Sequence, residues 1–405
     1  MFHVKTPEEV LEIINSQFSI LETEELIPLA EACGRTCKEN IIGTEYVPEF
    51  NRSTVDGYAV RAADTFGCSD SIPALLPLAE EILMGQAANS PLQAGTCVAV
   101  ATGGAVPEGA DAVVMLEFTE DYGDGTIGIL KPAAPGNNLI YKGDDVTPGK
   151  IIIPAGHILE PHDIGSLAAM GITSVKVSAK PVVGIISTGD ELVEIHEKPK
   201  PGQVRNVNSH VLEAVIKQAG GRPKSYGIIR DDEMVLSSYV AKAVNECDIV
   251  IISGGSSVGM RDATAKVIEE NGRIILHGIA MKPGKPTILG LVADKPVFGL
   301  PGHPVAAYLT ARLYVCPLMA KLMGSKIKQY TVTASMSEAI SSNHGRAEFV
   351  GVFLESVNGE LLAHPIRGKS GLITSLAASD GYICIPRDCE GLAQGTKVSV
   401  NLWKF

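Results

Sequence analysis

The chain has 405 residues, of which 45% are apolar and 20% charged, a globular composition that excludes a disordered or fibrous protein. At about 150 residues per domain, this length predicts two or three domains, with room for a discontinuous one. The net charge of −12, from 34 Lys and Arg against 46 Asp and Glu, argues against electrostatic capture of nucleic acid as the main activity.

The N-terminal MFHVKTPEEVLEII reads as an acidic amphipathic helix rather than a basic segment leading into an apolar core. No run reaches the roughly 18 consecutive apolar residues of a membrane helix. The expectation is therefore a cytoplasmic protein with no membrane association. Val10, Leu11, Ile13, Ile14, Phe18 and Ile20 form the first helix's stripe, and IPLAEACGRTCKENI predicts a second helix over 27–41. From Tyr46 to about Ile140 short β runs alternate with Gly, Pro and Asn, predicting a β-rich inserted domain over 46–140. IIIPAG and the helix PHDIGSLAAMG follow, and residues 1–45 and 141–178 are expected to form one discontinuous helical/mixed domain.

From Lys180 strands alternate with helices. PVVGIIS, KSYGIIR, DIVIIS, RIILHGIAM and KPVFGL are near-continuous apolar strands, which implies a central doubly wound α/β domain over 179–325 with a mostly parallel sheet. A cap at Asn208 or Ser209 opens the first of its helices. Beyond Gly324, alternating strands from YTVTASMS to TKVSVNLW predict a small β-barrel over 326–405. The eight cysteines are scattered without a C-x-x-C pair and read as free thiols, with Cys384 packed in a core rather than bridged to Cys389.

Ligands of open α/β sheets bind beyond the carboxyl ends of the strands, so the residues there carry the chemistry. They are Thr188-Gly189-Asp190-Glu191, Asp231-Asp232, GGSSVGMRD with Gly254, Gly255, Ser256, Ser257, Gly259 and Asp262, KPGKP with Lys282 and Lys285, and PGHP with Pro301 and Gly302. The glycine loop reads either as an anion-binding backbone cradle or as an ordinary βα turn. The lysines sharpen the anion reading, and Glu191, Asp231 and Asp262 suit Mg²⁺ held between acids and phosphate oxygens. Helix capping is the alternative for each acid, Asp262 above all. Asp56 in NRSTVDGYAV and Thr102 in VATGGAVPEGADAVVMLE lie in polar turns. His157, His162, His277 and His303 have no metal-ligand spacing and read as structural.

With these motifs the chain resembles the molybdopterin molybdenumtransferase family, to which the E domain of gephyrin belongs. The resemblance runs in order through PEFNRSTVDGYAV, ATGGAVPEGADAVVMLE, GDDVTPG, GIISTGDELVE, GIIRDD, SGGSSVGMRD, MKPGKP and GLPGHPVAA. The chain departs from the family's usual residues at Gly351, often arginine; at Ser256, often valine; and at Thr54 and Val55, Ala and Met in others. The resemblance implies an enzyme that takes adenylylated molybdopterin and molybdate (or tungstate) and, with Mg²⁺, releases AMP and the finished cofactor. It brings Asp56, Thr102 and Asp145 to the site, which Asp190 and Ser370 complete. It also implies a homodimer whose site is shared between subunits, and transient contact with the adenylyltransferase that makes the substrate. An adenylyltransferase using ATP is the competing reading, because the α/β domain is common to both; a scaffold protein is the third.

Overall fold

The computed structural model describes residues 4–254, 258–366 and 368–403, with the backbone alone at 258–262. Helix α1 (Pro7–Gln17) opens with a capping box in which Thr6 accepts from the Glu9 amide and Glu9 from the Thr6 amide. Its buried stripe of Val10 and Ile14 packs into the core of the later α/β unit, not against its sequence neighbours. The second helix expected over 27–41 does not form. Strand β1 (Glu24–Pro28) and a single 3₁₀ turn, Leu29–Glu31, stand there instead. Pro28 and the left-handed Gly34 (φ 79°) break the helical run that the apolar spacing suggested.

The inserted segment builds a six-stranded sheet from β2 (Gly57–Val60), β3 (Ala74–Ile82), β4 (Cys97–Val100), β5 (Ala112–Met115), β6 (Thr119–Asp121) and β7 (Thr126–Ile129), in the order β5-β2-β4-β3-β7-β6. Side-chain alternation gives it two apolar faces: Val60, Val114 and Ile127 share one cluster, Ala59, Val98 and Val113 the other. The chain then returns through α2 (Pro161–Ala169) to β8 (Ser174–Ser178), which pairs antiparallel with β1 from Glu24↔Ser178 to Pro28↔Ser174. Ile27, Ile153, Leu167 and Val177 form the core between these two distant segments.

The α/β unit follows as β9 (Val182–Thr188), α3 (Val207–Gln218), β10 (Arg222–Ile229), α4 (Glu233–Glu246), β11 (Ile249–Gly254), α5 (Val258–Asn271), β12 (Gly272–His277), β13 (Met281–Lys282), β14 (Ile288–Val292), β15 (Lys295–Leu300), α6 (Pro304–Thr310) and α7 (Cys316–Met323). The sheet order is β10-β9-β11-β15-β14-β12. Val183, Ile185, Ile249 and Ile251 face α1, α3, α6 and α7, whereas Ile186, Val250 and Ile252 face α4 and α5. Strands β10, β9, β11 and β15 are parallel, but β14 runs antiparallel to both its neighbours. This strand was absent from the sequence reading. It arises from a two-residue reversal at Ala293 and Asp294, both left-handed (φ 48° and 58°). The reversal leaves residues 278–287 at the same edge as the carboxyl ends of β12 and β15. Pro304–Met323 is long and apolar enough to cross a membrane, yet 67% of its most apolar window is buried inside the protein.

The C-terminal strands β16 (Thr331–Met336), β17 (Ala347–Val357), β18 (Glu360–Pro365), β19 (Gly381–Ile385) and β20 (Lys397–Leu402) close into a five-stranded barrel through the β17–β19 pairing. Val352, Ala363, Ile383, Ile385 and Val400 fill it. Cys384 alternates with Ile383 and Ile385 and therefore points outward and is exposed, against the expectation of core packing. All eight cysteines are free.

Candidate active site at the carboxyl edge of the sheet

The connection leaving β9 runs to β10 and that leaving β11 runs toward the opposite edge, to β12, so a crevice opens between the carboxyl ends of β9 and β11. Thr188, its last residue, stands in register with Ile229 of β10 and Gly254 of β11. Gly254 has φ 151°, and a Cβ there would collide with the Thr188 carbonyl, so the backbone itself demands glycine. A Cβ at Gly189 would likewise run into the Glu191 carboxylate at 2.6 Å.

The crevice encloses about 420 Å³ and is lined by Thr188, Glu191, Asn206, Asn208, Ser253 and Gly302, among others. Asn206, not Asn208 or Ser209, caps α3, accepting from the Ser209 amide at 3.3 Å. Its own amide donates to Ser187 Oγ at 3.2 Å. Asn208 Nδ2 donates to Ser253 Oγ at 2.9 Å and to the Gly302 carbonyl at 3.0 Å, tying the end of β11 to the loop after β15. Pro301 is buried at the start of that loop.

Asp190, Glu191 and Asp231 cluster beside the crevice, and Glu191 lines it. Asp190 Oδ1 accepts from the Asp231 amide at 3.3 Å. Burial, then the charges of Asp190 and Glu191, push the Asp231 carboxyl above its ordinary value. Asp231 Oδ1 is buried without a hydrogen-bond partner. Among the described residues no three His, Cys, Asp or Glu side chains are preassembled as a metal cage. Mg²⁺, however, takes only one or two carboxylates beside water and phosphate oxygens. An unpartnered carboxylate oxygen crowded by like charge fits such a cation. Of the predicted ligands, Glu191 and Asp231 come together. The Asp262 side chain lies outside the described residues, as do Gly255, Ser256 and Ser257; Gly259 is described only as backbone within α5.

The KPGKP loop lies against the barrel. Strand β13 pairs with β17, and Lys282 Nζ meets the Glu348 carboxylate at 2.8 Å, so its charge is partly neutralised rather than wholly free for an anion. Lys285 is exposed. A second cavity of about 690 Å³ opens here, with Lys282, His303, Glu348, Gly351, Lys369 and Ser370 in its wall. His303 Nδ1 and Ser370 Oγ are 2.7 Å apart. Among the described residues His303 alone lines both cavities. His157 is structural, held 2.7 Å from Asp163. A Cβ at Gly351 would find only ordinary contacts, 3.6 Å from Ser379 Cβ, so space does not require glycine there.

Asp56 and Thr102 also meet, in the loops before β2 and after β4. The Thr102 amide and hydroxyl both donate to Asp56 Oδ1, at 2.7 and 2.9 Å, and hold its carboxyl below the usual range. Asp145 is exposed and its amide donates to the Val47 carbonyl at 3.0 Å. None of these three residues lines either cavity. The fold thus brings together Asp56 with Thr102, the acids with Gly254, and Lys282 with Ser370. It does not bring the first pair to the other two groups within either cavity. Asn206 and Glu348 are not among the sequence candidates, Asn208 is there only as a helix cap and His303 only as a structural residue. The asparagines of NVNSH carried a capping signal, and Glu348 carried none.

Residues 5–171 match the family model "MoeA N-terminal region (domain I and II)", 184–321 match "Probable molybdopterin binding domain", and 333–403 match "MoeA C-terminal region (domain IV)". The chain is 32% identical to the molybdopterin molybdenumtransferase of Bacillus subtilis over 99% of its own length and 95% of the relative's. It is 32% identical to that of Haemophilus influenzae over 93% of each. The crystal structure of the molybdopterin biosynthesis MoeA protein from Pyrococcus horikoshii superposes with a TM-score of 0.89 at 36% identity, covering 99% of this chain and 100% of that one.

Proposed function

The chain belongs to the MoeA family of molybdopterin molybdenumtransferases, and on that premise we propose how its residues serve the transfer of molybdenum to molybdopterin. It is an enzyme of molybdenum cofactor biosynthesis. The reading adopted here has adenylylated molybdopterin bound at the carboxyl edge of the α/β sheet and molybdate (or tungstate, an equally shaped dianion) as the second substrate, with AMP released. Support comes chiefly from one observation: Asp231 offers an unpartnered buried oxygen beside Asp190 and Glu191 at the switch point. Such a cluster is unfavourable by itself, and a bound cation would relieve it.

In this reading Glu191, Asp231 and Asp262 would hold Mg²⁺, which would supply charge neutralisation at the phosphoanhydride. Asp190 orients Asp231 through its amide. Gly254 lets substrate approach the backbone, with Gly255, Ser256, Ser257 and Gly259 continuing the cradle. Lys282 and Lys285 draw anions to the edge, and Pro301, Gly302 and Ser370 shape the far wall. Asp56, Thr102 and Asp145 act from the partner subunit of a homodimer. That Asp56 and Thr102 line neither cavity supports that arrangement. The enzyme is read as cytoplasmic, receiving its substrate through transient contact with the adenylyltransferase.

The test is release of AMP from adenylylated molybdopterin by the purified protein with Mg²⁺. AMP should appear on addition of molybdate or tungstate and not without them. AMP production from ATP and molybdopterin alone would favour the adenylyltransferase reading.

A further inference from the structure

The hydroxyl of Thr188 has no evident task in the folded chain. The residue is 1% exposed, and its Oγ1 is buried without a hydrogen-bond partner among the described residues. Burying a hydroxyl unpaired costs stability, and valine would fill the same strand position without that cost, since β-branched apolar residues suit a sheet interior. The neighbouring hydroxyl of Ser253 and the side chain of Asn206, at the same edge, are both satisfied. Thr188 is therefore an exception within a hydrogen-bonded floor.

Its position suggests why. Thr188 ends one of the two strands whose connections diverge, lines the crevice, and stands directly opposite Gly254. A Cβ at position 254 would collide with Thr188 Oγ1 as well as with its carbonyl, so only glycine leaves room beside the buried hydroxyl. On the other flank Asp231 also carries a buried, unpartnered oxygen. A hydroxyl needs an acceptor, a carboxylate oxygen needs a cation or a donor, and the two lie at the ends of adjacent strands. A phosphate oxygen accompanied by a cation satisfies both at once.

We propose that Thr188 is a substrate-contacting residue, its hydroxyl donating a hydrogen bond to a phosphate oxygen of the adenylyl group. This rests on the adenylylated-substrate reading above and deepens it by naming a contact. The donor is neutral and lies among acids, so it engages phosphate without adding charge, while the cation provides the neutralisation.

The test is equilibrium binding of AMP and of adenosine, each with Mg²⁺, to the full-length protein as wild type, Thr188→Val and Thr188→Ser. The valine variant should bind AMP about tenfold or more weakly, as for a lost hydrogen bond to a charged group. Its affinity for adenosine should be unchanged, and its melting temperature equal to or above that of wild type. Serine keeps the hydroxyl and should keep AMP affinity within about twofold. Equal AMP affinity in wild type and Thr188→Val overturns the assignment. So does an equal loss for AMP and adenosine, or a lowered melting temperature, which would make the hydroxyl structural. If wild type itself fails to bind AMP, the adenylyl reading falls, and the phosphate contact with it.

Discussion

Asp231 shows how a residue can be unfavourable for the fold and useful to the site. Its carboxyl is pushed up by burial and by Asp190 and Glu191, and one oxygen is left unpaired. Its proton is held more tightly in the folded chain than in the unfolded one, so at neutral pH the ionised group opposes folding. Asp231→Asn removes the charge at constant shape. In a chelator it should melt up to a few degrees above wild type, roughly the scale of a single favourable substitution. Mg²⁺ should raise the melting temperature of wild type and raise that of the variant less. Thermal melts with and without Mg²⁺ check both points, and a variant less stable than wild type in chelator contradicts the argument. At this scale the sequence disclosed the acids and glycines, because position at a strand end is legible from apolar runs. It did not disclose that the Thr188 hydroxyl lacks a partner among the described residues or that His303 lines two cavities. Whether a hydroxyl lacks a partner, or an imidazole separates two cavities, depends on atoms far away in the chain.

Strand β14 and the segment 27–41 show what happens when local pattern misleads. β14 was missed because its hairpin turn is Ala293-Asp294 rather than the Asn-Gly or Asp-Gly that marks such reversals. Alanine held left-handed costs roughly 1–2 kcal/mol, and aspartate less. Replacing the pair by Asn-Gly should therefore stabilise the protein by about 1 kcal/mol. Urea denaturation would show this as a higher midpoint at unchanged slope; an unchanged or lower midpoint would mean that the turn is held by its surroundings. In 27–41 the apolar spacing was compatible with a helix, but β1 had a partner waiting in β8, about 150 residues later. Pairing with that strand overrode the local periodicity.

Across the whole molecule, the matched motifs do not all line one cavity. Asp56 and Thr102 bind each other on the inserted sheet and line neither cavity of the α/β edge. A symmetric dimer that places the inserted sheet of each subunit over its partner's crevice accounts for this. Mixing tests it directly. Asp56→Ala and Asp262→Ala subunits, each inactive alone, should recover activity after exchange. Random pairing makes about half the dimers mixed, each with one intact site, so about a quarter of wild-type activity should return. Confirmed exchange without recovery would put the whole site within one chain.

The sequence alone determined the alternating α/β core, the β-rich segments on either side of it, and the glycines and acids at the strand ends. Those features rest on periodicities of two and 3.6 residues and on backbone demands that neighbouring residues carry. Only the tertiary structure decided that α1 packs against the α/β core, that β1 joins β8, that β14 reverses the sheet's direction, and that Lys282 is paired with Glu348. Each of these is a contact between segments far apart in the chain. Its free energy comes from burial or pairing with a distant partner, and no local pattern encodes which partner that will be.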